Sequence, residues 1–248
     1  MMDRNTQAKF RFIFCLLFFL PSALSAVTAI EQSKRLQLVY THLLDLRSNS
    51  APHSENAGTL QISAELQPLP AIDARIGAKT EPLAVLPVSG RLRLRGFLLD
   101  GWMLGFSGVP GLTVGKQKAT ALQVETAWRK NWGGLQTGLR FSQSFWKVEG
   151  PMTTAKYKDR LENRQQNADL SIGMDWETWQ PYVGIGRGIL NSNLWIEESQ
   201  ITLKIENHGY AYQFVGVGIL GEAWSFNFEQ HQTEIFLLHF QFSATRRF

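Results

Sequence analysis

The chain has 248 residues, 44% of them hydrophobic and 19% charged, with one cysteine and a formal net charge of +4. That length allows one large domain or two small ones, and the composition excludes collagen, coiled coil and a disordered chain. No run of about 18 apolar residues occurs, which excludes a transmembrane helix from the body and leaves strands as the only way to span a membrane.

At the N-terminus, Arg4, Lys9 and Arg11 accompany an apolar run from Phe10 to Leu20, and Pro21-Ser22-Ala23-Leu24-Ser25-Ala26 follows. A basic stretch, an apolar run too short to span and a small-residue region predict an export signal over residues 1–26, cleaved after Ser25 or Ala26. A buried N-terminal helix fits less well, because nothing polar gives the run a second face. Cleavage removes three basic residues and Asp3, so the charge falls from +4 to +2, and it removes Cys15. No lipobox precedes that cysteine. The exported chain is thus no disulfide scaffold, and nucleic-acid binding is not expected of it.

Residues 27–248 read as one domain. The first element falls near Arg35 to Leu44; it is counted as a strand, although Leu36, Tyr40, Leu43 and Leu44 also fit a helix over Ala29 to Arg47. From Leu60 onward the pattern is strict alternation, the mark of strands with two unlike faces. Leu60-Gln61-Ile62-Ser63-Ala64-Glu65-Leu66 shows it, and a strand with Asp73, Arg75 and Lys79 follows. Arg91-Leu92-Arg93-Leu94-Arg95 repeats it with arginine. Further alternating stretches run through Met103 to Ser107, Leu122 to Arg129, Leu135 to Phe145, Asn167 to Trp176, Trp224 to Glu229 and Ile235 to Phe248. Short turns are expected at Gln67 to Pro70, Asp100-Gly101, Asn131 to Gly134, Glu177 to Gln180 and Gly221-Glu222. Long polar connections are expected at Asp45 to Gly58, Thr80 to Ser89, Gly108 to Lys118, Lys147 to Gln166 and Asn191 to Gln200. The expectation is an all-β, closed antiparallel transmembrane barrel of about 12 strands, with 8 or 10 as alternatives.

Alternation alone does not separate a soluble barrel from a membrane barrel, whose apolar face points outward. Trp102, Trp128, Trp132, Trp176, Trp179 and Trp224 flank the short turns, as an interfacial girdle requires of a side chain with an apolar body and one N–H. Short turns alternating with long loops match outer-membrane barrels. The chain stops on an aromatic strand in which Phe240, Phe242 and Phe248 share parity. On these features it resembles the bacterial outer-membrane β-barrel class. The resemblance implies residence in the outer membrane, contact with its lipid, and a terminal strand read by the barrel-assembly machinery. Arg246 departs from the pattern by placing a charge on the apolar face. Twelve strands also resemble the translocator domain of autotransporters, here solitary and without a passenger.

No cofactor is expected. Gly216-Val217-Gly218-Ile219-Leu220-Gly221 matches a dinucleotide fingerprint, but an alternating strand follows where a helix is needed; glycines there more often admit close packing. The same holds for Gly184, Gly186 and Gly188. Metal-ligand spacing is absent from the sequence. Histidines 42, 53, 208, 231 and 239 include His231, beside Glu229 and Glu234, and His239, which parity points into the lumen; with Ser142 or Ser144 they would serve an outer-membrane lipid-modifying enzyme, although no motif selects them. Lys156, Lys158, Arg160 and Arg164 form a basic stretch able to meet anionic sugars or lipid phosphates. The most distinctive cluster is Arg91, Arg93 and Arg95, one face of one strand, which with Arg75 and Lys79 on an expected neighbour would line a small porin-like channel for polar or anionic solutes. The competing arrangement is a salt-bridge network with Glu65, Asp73, Glu125, Asp169 and Glu229 in a structural, adhesive or assembly-related barrel that transports nothing. If the leucines of this strand face lipid, Leu94→Arg is expected to harm folding far more than Arg93→Leu.

The terminal strand yields a direct test. Deleting Phe248 is expected to lower the amount of folded membrane protein, measured as the heat-modifiable band of an unboiled sample; unchanged folded levels would reject an assembly signal.

Overall fold

The computed structural model describes residues 29–43, 47, 50–68, 88–114, 116–153, 156–233 and 238–248. Among these residues are one helix, α1 (Ala29–Leu43), and ten strands: β1 (Leu60–Pro68), β2 (Val88–Leu99), β3 (Trp102–Val114), β4 (Gln117–Trp132), β5 (Leu135–Gly150), β6 (Asp159–Met174), β7 (Trp179–Ile196), β8 (Ile201–Leu220), β9 (Trp224–Thr233) and β10 (Leu238–Arg247). Each strand pairs antiparallel with its sequence neighbour, and β1 pairs with β10 to close a barrel. The seam runs from Gln61↔Arg247 to Leu66↔Phe242. Beyond it Leu60 and Phe248 exchange both backbone hydrogen bonds, at 3.2 and 2.9 Å.

The barrel is inside-out. Leu92 and Leu94 are 62% and 44% exposed, while Arg91, Arg93 and Arg95 between them are 8%, 2% and 1% exposed. Period-two alternation forces this choice on every strand at once, since a one-residue slip would turn the arginines out and the leucines in. Trp102, Trp132, Trp176, Trp179 and Trp224 stand half-exposed at the end with the short turns. Trp128 is the cross-strand partner of Trp102. Arg246 also faces out there, its guanidinium 5.7 Å from the Trp224 ring and 5.0 Å from that of Phe248. Two aromatic faces thus receive the charge that broke the terminal pattern.

The strand number corrects the expected twelve to ten. Residues 35–43 belong to α1: they lie inside the barrel, where no strand edge is open, and Leu36, Val39 and Tyr40 take the i, i+3, i+4 spacing of a helix face. The strand expected at Asp73 to Lys79 does not enter the sheet between its neighbours. β1 pairs directly with β2, from Leu60↔Gly96 to Pro68↔Val88, so no strand stands between them. Asp73, Arg75 and Lys79 lie outside the described residues, as do residues 1–26.

Most of the expected long loops are strand. β3 continues to Val114 and β4 begins at Gln117; β5 reaches Gly150, β6 starts at Asp159, and β7 and β8 leave only residues 197–200 between them. A strand crosses the apolar layer in about 9–11 residues, yet β4 to β8 have 16 to 20. Toward their loop ends the outward positions turn polar, as at Lys147, Glu149, Arg160 and Glu162, so alternation fades from the sequence.

Glycine sets the interior of β7. Gly184, Gly186 and Gly188 sit in register with Phe214, Tyr212 and Tyr210 of β8, whose rings lie across the glycine backbone. A Cβ on Gly186 would come within 2.3 Å of the Tyr212 ring. Gly216 makes the same room for Tyr182, at 2.4 Å; the apparent nucleotide fingerprint is thus a packing device. Gly186→Ala is therefore expected to lower stability by about 1–3 kcal/mol through overpacking. Gly96→Ala, with nothing within 4 Å of the new methyl, should instead gain about 0.5–1 kcal/mol. Urea midpoints of the refolded barrel test both signs.

Candidate functional site

The lumen is filled by the chain that precedes β1, in three layers from the loop end to the short-turn end. At the loop end, Leu36, Val39 and Tyr40 of α1 pack on Ala119, Trp146, Val148, Leu161 and Leu194, which point inward from four strands. Here the polar-in rule fails locally, because these positions face a helix rather than water. Gln37 Nε2 donates to Ser192 Oγ at 2.9 Å, Gln117 Nε2 to the Tyr40 hydroxyl at 3.2 Å, and Gln165 Nε2 to the Thr41 carbonyl at 3.2 Å. His42, at the helix end, meets Tyr210 edge-on with 4.8 Å between ring centres.

The middle layer is ionic. Arg95, Gly105 and Glu125 lie in one cross-strand row over β2, β3 and β4. Because Gly105 has no side chain, Glu125 reaches across β3; a Cβ there would sit 2.7 Å from the Glu125 carboxyl. Glu125 takes Arg93 Nη1 at 2.8 Å and Arg95 Nε at 3.0 Å. From the other side Glu65 of β1 takes Arg93 Nε at 2.8 Å and also pairs with Arg91. Arg91 donates in addition to the carbonyl of Arg47, a residue of the threaded segment. The Arg47 guanidinium lies 3.8 Å above the Tyr212 ring. Arg140 donates to Asp169 from Nε and Nη2 at 3.0 and 2.7 Å, and the Tyr212 hydroxyl donates to the same oxygen at 3.0 Å. Glu229 pairs with His231, both without exposed surface, and Phe214 lies against the His231 ring at 5.7 Å.

At the short-turn end, residues 50–58 cross to β1. Arg129 holds them, donating to the Ala51 carbonyl at 3.2 Å, the His53 carbonyl at 3.4 Å and Ser50 Oγ at 2.8 Å. His53 Nδ1 lies 3.1 Å from Gln136 Nε2 and 3.2 Å from Gln180 Nε2. Gln61 and Arg247 both donate to Glu55, at 3.1 and 3.4 Å. Beside this segment, two cavities that border Arg129 hold about 10 and 30 Å³, room for one or two waters each.

Period two correctly puts Arg91, Arg93 and Arg95 on one face, but the expected neighbour is wrong. β1 and β3 flank β2, so Glu65 and Glu125 meet the arginines, and Arg75 and Lys79 lie outside the described residues. Phe240 and Phe242 face outward on β10 with Phe228 stacked between them at 5.7 and 5.0 Å. Ser144 donates to Gln165 at 3.3 Å, on the wall opposite β9, and the His239 side chain lies outside the described residues. Arg47, Arg129 and Arg140 were not singled out from the sequence. The inward parity of Arg129 and Arg140 was available as a signal; nothing local marks Arg47.

No family model matches the chain, and no curated protein matches it. Among solved structures it is similar to the translocator domain of autotransporter NalP from Neisseria meningitidis, with 8% identity over 88% of this chain and 94% of that chain and a TM-score of 0.45. It is similar to the outer membrane protease OmpT from Escherichia coli, with 10% identity over 82% and 98% and a TM-score of 0.41. Ail, the attachment invasion locus protein of Yersinia pestis, gives 10% identity over 77% and 99% and a TM-score of 0.30. Likenesses at this level carry no residue role or activity over to this chain.

The ionic layer revises the expectation for β2. Arg93→Leu would take from Glu65 and Glu125 the arginine they share, leaving them Arg91 and Arg95, and breaking a buried pair costs about 3–5 kcal/mol, whereas Leu94→Arg places a charge on the apolar face at about 2–4 kcal/mol. Both variants are expected to destabilise the barrel, with Arg93→Leu at least as damaging, as read from urea midpoints. An Arg93→Leu barrel as stable as the parent would reject the network.

Proposed function

We propose that this chain is a bacterial outer-membrane β-barrel, exported by its cleaved N-terminal segment and closed in its resting state by its own residues 29–58. The observation that carries the reading is the threaded segment itself, anchored at each level to the wall by Ser192, Gln165, Arg91 and Arg129. Membrane residence is supported by the reversed polarity of the wall and by the tryptophans at one rim. Folding then depends on the assembly machinery that receives the terminal strand with Phe240, Phe242 and Phe248.

A porin-like passage for small polar or anionic solutes requires this segment to give way. In the closed state the arginines that would select anions are engaged by Glu65 and Glu125, and His231 and Glu229 are sealed from any solute. The reading therefore favours a barrel that conducts only in transient openings over an open anion pore or a lipid-modifying enzyme.

A reversible lock tests it. A Cβ built on Gly218 would lie 3.4 Å from the Ala51 Cβ, close to the separation of about 3.5–4.5 Å in a disulfide. Ala51→Cys with Gly218→Cys therefore ties the segment to β8, and the chain's only other cysteine is Cys15 in the signal. In planar bilayers the unmodified protein is expected to show rare openings, the oxidised pair none, and the reduced pair to regain them. Steady conductance that the lock leaves unchanged would overturn the closed-barrel reading.

A further inference from the structure

The tall side of the barrel carries charge on its outer wall that neither the lumen nor the apolar layer uses. Lys118 of β4, Lys147 of β5, Arg160 and Arg164 of β6, and Arg187 of β7 all take outward positions. Register brings them together: Lys118↔Glu149↔Arg160 form one row, Lys147↔Glu162 the next, Phe145↔Arg164 the third, and Ala168↔Arg187 a lower one. Glu149 and Glu162 are the acids on this face, paired with Lys147 and Arg160. Five basic and two acidic side chains leave a net charge of +3. By contrast, the outward positions of β1, β2 and β3 from Leu60 to Gly108 carry no charge among the described residues.

Height matches this face to a membrane surface. Trp176 and Trp179 bridge at the short-turn rim, and Arg187 lies eight residues above Trp179. At about 3.3 Å per residue and a strand tilt of about 40°, Arg187 stands about 20 Å above that rim. Arg164, twelve residues above Trp176, stands at about 30 Å by the same measure. An apolar band of about 25 Å ends between them, so the cluster begins at the upper edge of the hydrocarbon and continues through the headgroup layer. Arg187 stands between the small side chains of Ala168 and Ala211, and Arg164 lies over the Phe145 ring at 5.4 Å.

The extent of the patch exceeds one phosphate. Eight residues of β6 separate the row of Arg187 from Arg160, about 26 Å, and three strand spacings from β4 to β7 add a width of about 14 Å. Between the cations lie outward amides: Gln143 and Gln166, hydrogen-bonded at 3.5 Å, with Asn191 and Asn193 beside them. Guanidinium and ammonium groups suit phosphate oxygens, and amides suit sugar hydroxyls. We propose that the outer wall of β4 to β7 binds a lipid whose sugar headgroup carries two phosphates, in the leaflet at the loop end. This rests on the membrane placement of the barrel and not on the closure of its lumen.

The test uses the full chain in mild detergent, confirmed as folded by heat-modifiable migration, and counts retained lipid by native mass spectrometry. A diphosphorylated glucosamine-disaccharide lipid is expected to saturate the protein at a concentration about tenfold lower than phosphatidylglycerol does. Arg160→Gln/Arg164→Gln/Arg187→Gln, all exposed and outside the ionic layer, should raise that concentration about tenfold or more, while Lys130→Gln near the other rim should not. If the triple variant fails to fold, Arg187→Gln alone should give about a fivefold loss. Equal retention of the two lipids, retention unchanged by the substitutions, or an equal loss in Lys130→Gln would overturn the proposal. A parent protein that is not heat-modifiable would instead remove the membrane-barrel reading on which it stands.

Discussion

Glu125 reaching over Gly105 to grip Arg93 and Arg95 is the contact on which the interior depends. A barrel with its apolar residues outside has no hydrophobic core in the ordinary sense, so its inner wall must satisfy polar groups with one another. Three arginines on one strand would repel if left alone. Glu65 approaches them from β1 and Glu125 from β4, and the missing side chain of Gly105 lets a carboxyl two strands away arrive at the same row. The arrangement ties four adjacent strands across the lumen side, adding to the backbone ladder a set of charge-assisted bonds shielded from water.

The N-terminal segment completes what the wall leaves open. Its three contacts differ in chemistry because the wall differs with depth. Apolar residues receive the helix at the loop end, arginines receive the Arg47 carbonyl in the middle, and Arg129 gathers two carbonyls and a hydroxyl near the short turns. The same principle explains the tyrosine and phenylalanine ladder on β8. With glycine beneath them, Tyr210, Tyr212 and Phe214 lie flat along the wall, leaving space on the axis for the segment to pass.

Where the outward face is apolar and the lumen face polar, the strands were legible in the sequence. Period two identified β1, β2, the lower parts of β3 to β6, β9 and β10, and it assigned Arg91, Arg93 and Arg95 to the interior. Toward the loop ends that contrast disappears, so the upper halves of β3 to β8 read as loops. The helix was ambiguous for a different reason. Leu36, Tyr40, Leu43 and Leu44 suit either period, and only the closure of the sheet without them decides in favour of a helix. Partners across the barrel were the least legible. The charge-balancing role of Glu125 requires knowing that β3 lies between β2 and β4 with Gly105 in the right row, which is register rather than pattern. Arg47 carries no local mark, since its partners are contributed by strands far along the chain.

The seam between Leu60 and Phe248 constrains how such a molecule is made. These residues are the first and last of the sheet, so the wall becomes continuous only when the C-terminal strand is in place. The segment ahead of β1 enters the lumen at the loop end and leaves it at the short-turn end, a path that a finished cylinder admits only by end-on passage of the helix. Wrapping the sheet around the segment avoids that passage. The order of events then matters: the residues that fill the lumen act as a former for the curving wall, and the last pair of hydrogen bonds encloses them.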